Sequence, residues 1–270
     1  MPVARTFLET RFRAGKICLK RVRGDDVAAF VVRDAASSPR RAQRTGGALR
    51  SFLGFLTQTG RTAVNLALSV PAVATWRLAE LPQFLEPEQV EKLLGCCDRD
   101  TPMGRRDYAV LLLLARLGLR AGEIVLLSLE NINWAAGEVL IRGKSAREDR
   151  LPLLPDVGQA LADYLQRDRP ACACRRVFIR MRAPHVGFSN SAAVWFMLQR
   201  ALARTGLHPL HQGAHILRRS LATRMLRGGA SLTQIGEVLR HQWTQTTEIY
   251  AKVDLAPLRA LAQPWPGGVR

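Results

Sequence analysis

An unbroken apolar run at residues 109–115 (AVLLLLA) constrains the fold more than any other stretch of the chain. The sequence predicts a helix over 106–117 around this run, and a helix that is apolar on every side has to be covered on every side. Other elements of the same domain must therefore surround it. Gly118 follows at once and is expected to turn the chain, so that Arg120 opens the next helix.

The chain is long and strongly basic. Its 270 residues suggest two domains, and 47% hydrophobic residues are ample for their cores. With 40 Lys and Arg against 22 Asp and Glu, the formal charge of +18 favours a polyanionic partner. No apolar run approaches the roughly 18 residues that span a bilayer, so nucleic acid is favoured over a membrane. The first residues lack the apolar core of a signal peptide, which predicts a cytoplasmic protein, and the five cysteines are expected to be free thiols.

The last quarter of the chain predicts three short helices in succession. Residues 214–226 carry an apolar side chain every four positions, and a pair of glycines then ends the helix. Ser231 begins a capping box with the glutamine three residues later, so a second helix is expected to run to about residue 241. The polar run 242–247 is a predicted turn, and 247–253 is a predicted third helix.

Four polar side chains of this segment suit phosphate chemistry. His215 and Arg218 lie on one face of the first helix, and Tyr250 follows His241 by nine residues. Arginine keeps its proton and offers a planar fork of donors that matches two phosphate oxygens. Tyrosine has a pKa near ~10, so it needs a base or a cationic field to act as a nucleophile, and histidine can supply the base.

The order and spacing of these residues resemble a motif of a known protein family. In sequence they are His215, Leu217, Arg218, Leu239, Arg240, His241 and Tyr250. This order resembles the catalytic box of the tyrosine recombinases, the phage integrase family, in which His-x-Leu-Arg precedes Leu-Gly-His and a tyrosine nine residues later. Arg240 stands where the family has glycine.

The resemblance implies further residues upstream. It implies an arginine in a Leu-x-Leu-Arg-x-x-Glu turn, which Arg120 and Glu123 supply, and a lysine in a β-hairpin. Residues 132–155 alternate apolar and polar side chains, which predicts a three-stranded meander with Lys144 at its second turn. The predicted catalytic set is Arg120, Lys144, His215, Arg218, His241 and Tyr250.

Each of these residues alone has an ordinary structural interpretation, as an ion-paired arginine, a hairpin lysine, a packing tyrosine or a core histidine. Six in family order over about 130 residues favour the catalytic interpretation. His208, His211 and His215 are a weaker candidate for a metal site, because Pro209 interrupts their spacing and no nearby cysteine or acid completes the ligands. We therefore predict no metal and no cofactor.

The predicted fold is mainly α-helical with a small antiparallel β-sheet. By resemblance, residues 1–78 form a short helical core-binding domain that clamps DNA, and 79–255 form the catalytic domain. Residues 256–270 are a tail that either packs on its own domain or is exchanged between protomers.

The first domain is predicted from two apolar segments, 27–32 and 48–56, which form parts of two helices. A basic turn at 37–44 would separate them, and a further helix at the start of the domain is expected either to be absent or to remain only at 6–16. Arginines of that turn and of the catalytic domain are the predicted contacts to the DNA backbone, namely Arg40, Arg41, Arg44, Arg180, Arg182 and Arg200.

The resemblance implies a metal-free exchange of DNA strands. Tyr250 would attack the scissile phosphodiester, giving a 3′-phosphotyrosyl link and a free 5′-hydroxyl. Arg120 and Arg218 would hold the non-bridging oxygens, and Lys144 would protonate the leaving 5′-oxygen.

The remaining roles and the assembly also follow from the resemblance. His215 would act as base towards the tyrosine, His241 would hydrogen-bond the phosphate, and Glu123 would orient the histidine and arginine groups. The partner would be double-stranded DNA, bound by a homo-tetramer or hetero-tetramer. Two other functions stay open: a type IB topoisomerase, and a catalytically silent accessory subunit of a recombination complex.

Overall fold

The computed structural model of the chain describes residues 2–12, 15–73, 83–143, 148–210, 212–241 and 246–250. The chain divides into two compact units, Met1–Glu80 and Leu81–Arg270. The predicted domain boundary at 78 and the predicted tail at 256–270 lie outside the described residues.

The described residues of the first unit form three helices. They are α1 (Pro2–Phe12), α2 (Gly24–Ser37) and α3 (Pro39–Gln58), with short 3-10 turns at Leu19–Arg21 and Leu66–Ser69. Their apolar faces meet in one core, in which the Phe7 and Phe30 rings pack edge to face at 5.3 Å. Of the two alternatives for a further first helix, the structure therefore has the one in which it is present, but it begins and ends about four residues earlier than 6–16.

The predicted basic turn at 37–44 is wrong. Only Ser38 separates α2 from α3, and its hydroxyl accepts a hydrogen bond from the backbone N–H of Arg41 at 3.4 Å. Pro39 then occupies the first helical position, where its fixed φ and missing N–H suit a helix start. A Ser-Pro pair in a basic stretch thus begins a helix here, so the three arginines predicted in the turn lie in the first turns of α3.

The second unit contains seven further helices and a small sheet within its described residues. They are α4 (Pro87–Gly95), α5 (Pro102–Arg116), α6 (Ala121–Leu126), β1 (Ile132–Asn133), β2 (Glu138–Arg142), β3 (Glu148–Pro152), α7 (Pro155–Arg167), α8 (Ala192–Thr205), α9 (His215–Arg227) and α10 (Leu232–Val238). A 3-10 turn at Glu248–Tyr250 ends the described chain.

Helix α5 lies at the centre of this unit, as the apolar run predicts. Residues 109–115 are all buried, and α5 contacts α4, α6, α7, α8 and α9. Its start is fixed by Thr101, whose hydroxyl accepts a hydrogen bond from Gly104 N–H at 3.1 Å. The surrounding helices arise because each of them has one apolar stripe to bury against this helix.

The predicted three-stranded meander is confirmed as an antiparallel sheet in the order β1-β2-β3. Val139 pairs with Ile132 on one side and Leu151 on the other. Val139 and Ile141 are buried while their neighbours are less so, which is the alternation that the sequence shows. The second turn of the meander, including Lys144, lies outside the described residues.

Helix α9 agrees with its prediction, but α10 is shorter than predicted. Ser231 caps α10 in the predicted capping box, yet the helix ends at Val238 rather than near residue 241. Arg240 has φ 54, in the left-handed region, and His241 N–H donates to the Gly236 carbonyl at 2.9 Å. Arg240 N–H likewise donates to the Glu237 carbonyl at 2.9 Å. This pair of bonds is the Schellman motif that ends many helices, with Arg240 at the position usually held by glycine.

Candidate active site

Arg120 is held by the start of α6, where it is the N-terminal capping residue. The buried Glu123 carboxylate accepts the Arg120 backbone N–H on Oε2 and the Arg120 Nη1 on Oε1, each at 2.8 Å. The sequence folds this way because Gly118, with φ +58, turns the chain between α5 and α6. The Arg120 side chain is still 39% exposed, so its guanidinium is fixed at one edge and open to a ligand.

Arg218 lies in the first turns of α9 and is buried. Its Nη1 donates to the Gly118 carbonyl at 2.5 Å, and its Nη2 donates to the Leu239 carbonyl. Burial, followed by the nearby charges of Arg120 and Arg240, lowers the pKa of Arg218 to about 10. The group therefore stays charged at neutral pH, in a position where an anion would be favourable.

His215 is the first residue of α9. Its surface is exposed, yet partial desolvation, followed by the charges of Arg218, Arg219 and Arg120, lowers its pKa. The imidazole is therefore neutral at pH 7 and able to accept a proton.

His241 and Tyr250 lie beside each other with nearly parallel rings, 6.5 Å apart between centroids. His241 Nδ1 is 2.7 Å from the hydroxyl of Thr247, one turn before the tyrosine. Burial, followed by the charges of Arg218, Arg120 and Arg240, lowers the pKa of His241 to about 4. The ring is neutral at physiological pH.

Tyr250 itself is 3% exposed. Burial raises the pKa of its hydroxyl, and the charges of Arg218 and Arg219 oppose that rise. The hydroxyl is therefore protonated at neutral pH, and a reaction in which it attacks would need a base to remove the proton.

The structure brings together five of the six residues predicted to be catalytic, with Glu123 beside them. The sixth, Lys144, lies outside the described residues. Of the predicted DNA contacts in this unit, Arg180 and Arg182 are exposed on the loop between α7 and α8, and Arg200 pairs with Asp107 at 2.7 Å.

The other predicted DNA contacts belong to the first unit. Arg41 is exposed and lies 3.5 Å from Asp34, and Arg44 is exposed on α3. The backbone of Arg40 lies in α3, and its side chain is outside the described part of the chain.

Sequence reasoning missed the part played by Arg240. This residue is buried, its Nη2 donates to Glu123 Oε2 at 2.8 Å, and its carbonyl accepts from Arg120 Nη2 at 3.3 Å. The sequence did contain a signal for this role, because Arg240 stands where the family has glycine. A glycine at that position indicates a left-handed backbone at the end of a helix, and Arg240 adopts that backbone.

A metal site has no support in the described residues, which contain no group of three or more His, Cys, Asp or Glu side chains able to hold an ion. His211 of the histidine trio considered above lies outside them. What the cluster offers is three guanidinium groups around one carboxylate, an arrangement that suits an anionic ligand.

The fold is that of solved tyrosine recombinases. The XerH site-specific recombinase bound to palindromic difH substrate superposes with a TM-score of 0.77 at 20% identity, over 94% of this chain and 76% of that one. A lambda integrase dimer bound to a COC′ core site gives a TM-score of 0.69 at 15% identity, over 92% of this chain and 85% of that one. At such identities the likeness concerns the fold alone.

Sequence relatives give the family. The candidate integrase/recombinase y4rA of Sinorhizobium fredii is 50% identical over 267 residues, which is 98% of this chain and 65% of the relative. The tyrosine recombinase XerD of Listeria innocua is 31% identical over 235 residues, 85% of this chain and 77% of the relative. The phage integrase family profile matches residues 83–256. The chain therefore belongs to the phage integrase family, which confirms the resemblance seen in the sequence.

The chain spans 65% of the length of y4rA and 52% of the length of y4rF, a second relative from Sinorhizobium fredii. Each helix that the structure describes is too short or too polar to span a lipid bilayer.

Proposed function

We propose that this chain cuts and rejoins DNA at specific sites through a covalent link to Tyr250. The observation that carries the proposal is that Arg218 of α9 lies close to Tyr250, while Arg120 at the start of α6 meets Arg218 and His241 at the end of α10, and His241 stacks beside the tyrosine. Membership of the phage integrase family supports it, and so does the excess of 40 basic over 22 acidic residues. The solved relatives are complexes with DNA, which supports double-stranded DNA as the partner.

Arg120 and Arg218 bind the scissile phosphate in this proposal. Each guanidinium is fixed by backbone carbonyls or by Glu123, so it needs little reorganisation when the charge on the non-bridging oxygens grows. Preorganised donors of this kind typically contribute ~2.7 to 4 kcal/mol each to the transition state. Because both groups are surrounded by other positive charges, a phosphate is the partner that relieves their mutual repulsion.

Tyr250 Oη attacks the phosphorus, the bond from phosphorus to the 5′-oxygen breaks, and a 3′-phosphotyrosyl link forms. The proton of the tyrosine passes to His215, whose lowered pKa keeps it neutral and ready to accept. Lys144 would give a proton to the leaving 5′-oxygen. A 5′-hydroxyl from a partner strand then reverses the attack, so that the phosphodiester is conserved without ATP.

His241 hydrogen-bonds the phosphate in the same scheme. If Nδ1 accepts the hydroxyl proton of Thr247 at 2.7 Å, the neutral ring carries its own proton on Nε2 and can donate it. The lowered pKa of His241 means that this role uses a neutral donor rather than a cation.

The assembly we propose is a tetramer on two DNA duplexes. It is built from this chain alone or from this chain and a related recombinase. Joining of two sites separates this function from a type IB topoisomerase, which shares the tyrosine chemistry but relaxes one duplex. A catalytically silent accessory subunit is distinguished because it would bind DNA without breaking it.

The experiment is a plasmid assay without metal. Negatively supercoiled plasmid is incubated with the full chain in EDTA at low salt, the reaction is stopped with SDS, and both relaxation and protein-linked DNA are scored beside Tyr250→Phe. The proposal predicts an adduct with the original protein and none with the variant. DNA binding with neither adduct nor relaxation, on a plasmid library that offers random sites, would favour the accessory subunit. A strict requirement for Mg²⁺ would contradict the chemistry.

A further inference from the structure

Arg240 occupies a backbone position that disfavours it. As the residue after the last turn of α10, it has φ 54, where glycine is usual and a residue with a side chain is strained. Its side chain is also 4% exposed, so a charged group has been taken out of water. Both features are unfavourable unless the guanidinium makes contacts that offset them.

The contacts of Arg240 close a ring through the active site. Its Nη2 donates to Glu123 Oε2 at 2.8 Å, Glu123 Oε1 accepts Arg120 Nη1 at 2.8 Å, and Arg120 Nη2 donates to the Arg240 carbonyl at 3.3 Å. The ring joins the start of α6 to the end of α10. Two donors of Arg120 are therefore fixed: Nη1 by the Glu123 carboxylate, which also pairs with the Arg240 side chain, and Nη2 by the backbone carbonyl of Arg240.

The left-handed turn also serves the second arginine. The carbonyl of Leu239 accepts Arg218 Nη2, and the next carbonyl, that of Arg240, accepts Arg120 Nη2. Two successive carbonyls thus receive the two arginines that would bind phosphate. Their relative direction depends on the φ of Arg240, because that rotation is about the N–Cα bond that lies between the two carbonyls.

Charge is the second way in which Arg240 affects Arg120. Glu123 is the carboxylate that forms ion pairs with Arg120 and Arg240, and in the described residues Arg218 forms no ion pair. Without Arg240, the carboxylate would neutralise Arg120 alone. With Arg240 sharing it, more of the positive charge of Arg120 is available to a ligand. Within the described part of the chain, Arg240 Nε and Nη1 are buried without hydrogen-bond partners, and the negative charges that act on this guanidinium are those of Glu123 first and Asp149 second.

We propose that Arg240 is a positioning residue for DNA strand cleavage: through Glu123 and its own carbonyl it orients Arg120 and keeps the charge of Arg120 available to the scissile phosphate. This inference rests on the proposed function. It assigns a task to the one position of the catalytic box where the chain departs from the family pattern.

The main test is Arg240→Gly, since glycine suits the left-handed backbone and removes only the side chain. We expect the variant to unfold at the same urea concentration or higher, to bind DNA as the original does, and to form the covalent adduct about 10- to 100-fold more slowly in single turnover. Arg240→Lys keeps the charge without the fork and should recover part of the rate. Arg105→Gln is the matched control: it breaks another partly buried ion pair, with Asp168, away from the cluster, and should leave cleavage unchanged.

A second substrate separates electrostatic positioning from a structural role. After the cleavage site is mapped with the original protein, the scissile phosphate is replaced by an uncharged methylphosphonate. If Arg240 acts through the charge of Arg120, the rate difference between the original and Arg240→Gly should shrink several-fold on this substrate.

Two outcomes would overturn this inference alone: cleavage by Arg240→Gly at the original rate, or the same rate difference on both substrates. Absence of any adduct with the original protein would overturn the proposed function, and this inference with it.

Discussion

Arg218 shows most clearly how single side chains define the site. Its guanidinium is buried, bonded to two backbone carbonyls and surrounded by other arginines, yet within the described residues no carboxylate pairs with it. A charged group in this position is tolerated because the carbonyls satisfy its donors. An anionic ligand would neutralise the charge of Arg218. Replacing Arg218 is therefore a sharp test of the site.

Arg218→Lys should slow formation of the covalent adduct by about 100-fold or more, since a lysine cannot reproduce the planar fork of donors. Affinity for DNA should change much less, because most of it comes from other phosphates. Single-turnover trapping and filter binding measure the two quantities. Arg224→Lys, at an exposed position of the same helix, is the control. Near-normal cleavage by Arg218→Lys would remove this residue from the site.

The lowered pKa of His241 links the site to stability. The folded protein releases this proton at about pH 4, whereas the unfolded chain does so near 6.5. Between these values the unfolded state holds the extra proton, so stability is complete above about pH 6.5 and falls as the pH drops towards 4. The slope is at most about 1.4 kcal/mol per pH unit, and contact of the ring with water reduces it. The lowered pKa of His215 acts in the same direction.

His241→Asn removes the titrating group and keeps an acceptor near Thr247. Urea unfolding of both proteins between pH 4 and pH 7 should therefore give a stability difference that changes with pH, with the variant less sensitive to acid. Taking the difference cancels the titration of groups common to both proteins. A difference that stays constant over this range would contradict the account.

The turn between α5 and α6 shows how the secondary structure elements build the site. Gly118 has φ +58, and a β-carbon there would lie 2.7 Å from Leu239 Cδ2 and 3.1 Å from Leu221 Cδ2. The same residue offers its carbonyl to Arg218. Glycine is therefore required both by the backbone and by the close approach of α9 and the end of α10.

Gly118→Ala should lower the free energy of unfolding by about 2 to 4 kcal/mol, combining backbone strain with overpacking. Gly137→Ala is the matched comparison, because Gly137 also has a positive φ, of 63, but a β-carbon there meets nothing within 4 Å. It should cost only about 1 kcal/mol. Urea unfolding measures both. Equal losses would mean that the packing around Gly118 is looser than described.

Much of the second unit could be predicted because local rules and tertiary packing agree there. The apolar run of α5 predicts a helix buried on all sides, the Ser231 capping box predicts the start of α10, and the alternating segment predicts the sheet. The site residues followed from family order rather than from physics, since nothing local to Arg120 reveals that α9 and the end of α10 approach it.

The misses have specific causes. The basic stretch around Pro39 predicts a turn, although a proline after a capping serine begins a helix. Because Arg240 stands where a glycine would mark the end of α10, the sequence predicts a longer helix than the structure has. Its left-handed backbone depends on contacts with Glu123 and Arg120 that are more than a hundred residues away in sequence, and local propensity cannot supply such information.

The charge of the full chain, +18, governs how it would meet DNA. Within the described residues, the exposed arginines occur in both units, on α3 and on the loop between α7 and α8, whereas those of the cluster are partly or fully buried. Exposed arginines supply affinity and counterion release, and the buried ones are suited to chemistry.

Affinity for DNA should therefore fall steeply with salt, by about a thousandfold or more between ~50 and ~200 mM. Arg44→Gln, which alters an exposed predicted contact on α3, should weaken binding to all sequences and lower the salt slope by about one. Arg5→Gln serves as control, because Arg5 is exposed in the same unit but paired with Glu9 at 2.7 Å. Binding curves at several salt concentrations measure the slope. Equal slopes for both variants would exclude Arg44 from the interface.

The chain has three tyrosines, which makes the nucleophile directly measurable. Tyr164 is fully buried and its hydroxyl accepts a hydrogen bond from the Ile179 N–H, while Tyr108 lies under the Arg99 guanidinium, 5.0 Å from the ring centroid. Tyr250 is the one beside Arg218, His241 and the end of α10.

The most direct test is mass spectrometry of the trapped complex. Adduct formed in EDTA is digested with nuclease and protease, and the nucleotide-bearing peptide is sequenced. We predict a nucleotide attached through its 3′-phosphate to Tyr250, and no modified peptide from the Tyr250→Phe protein. A nucleotide on Tyr108, on Tyr164 or on a side chain other than tyrosine would contradict the central claim that Tyr250 is the nucleophile. A 5′-phosphate link to Tyr250 would instead contradict the proposed 3′-phosphotyrosyl intermediate.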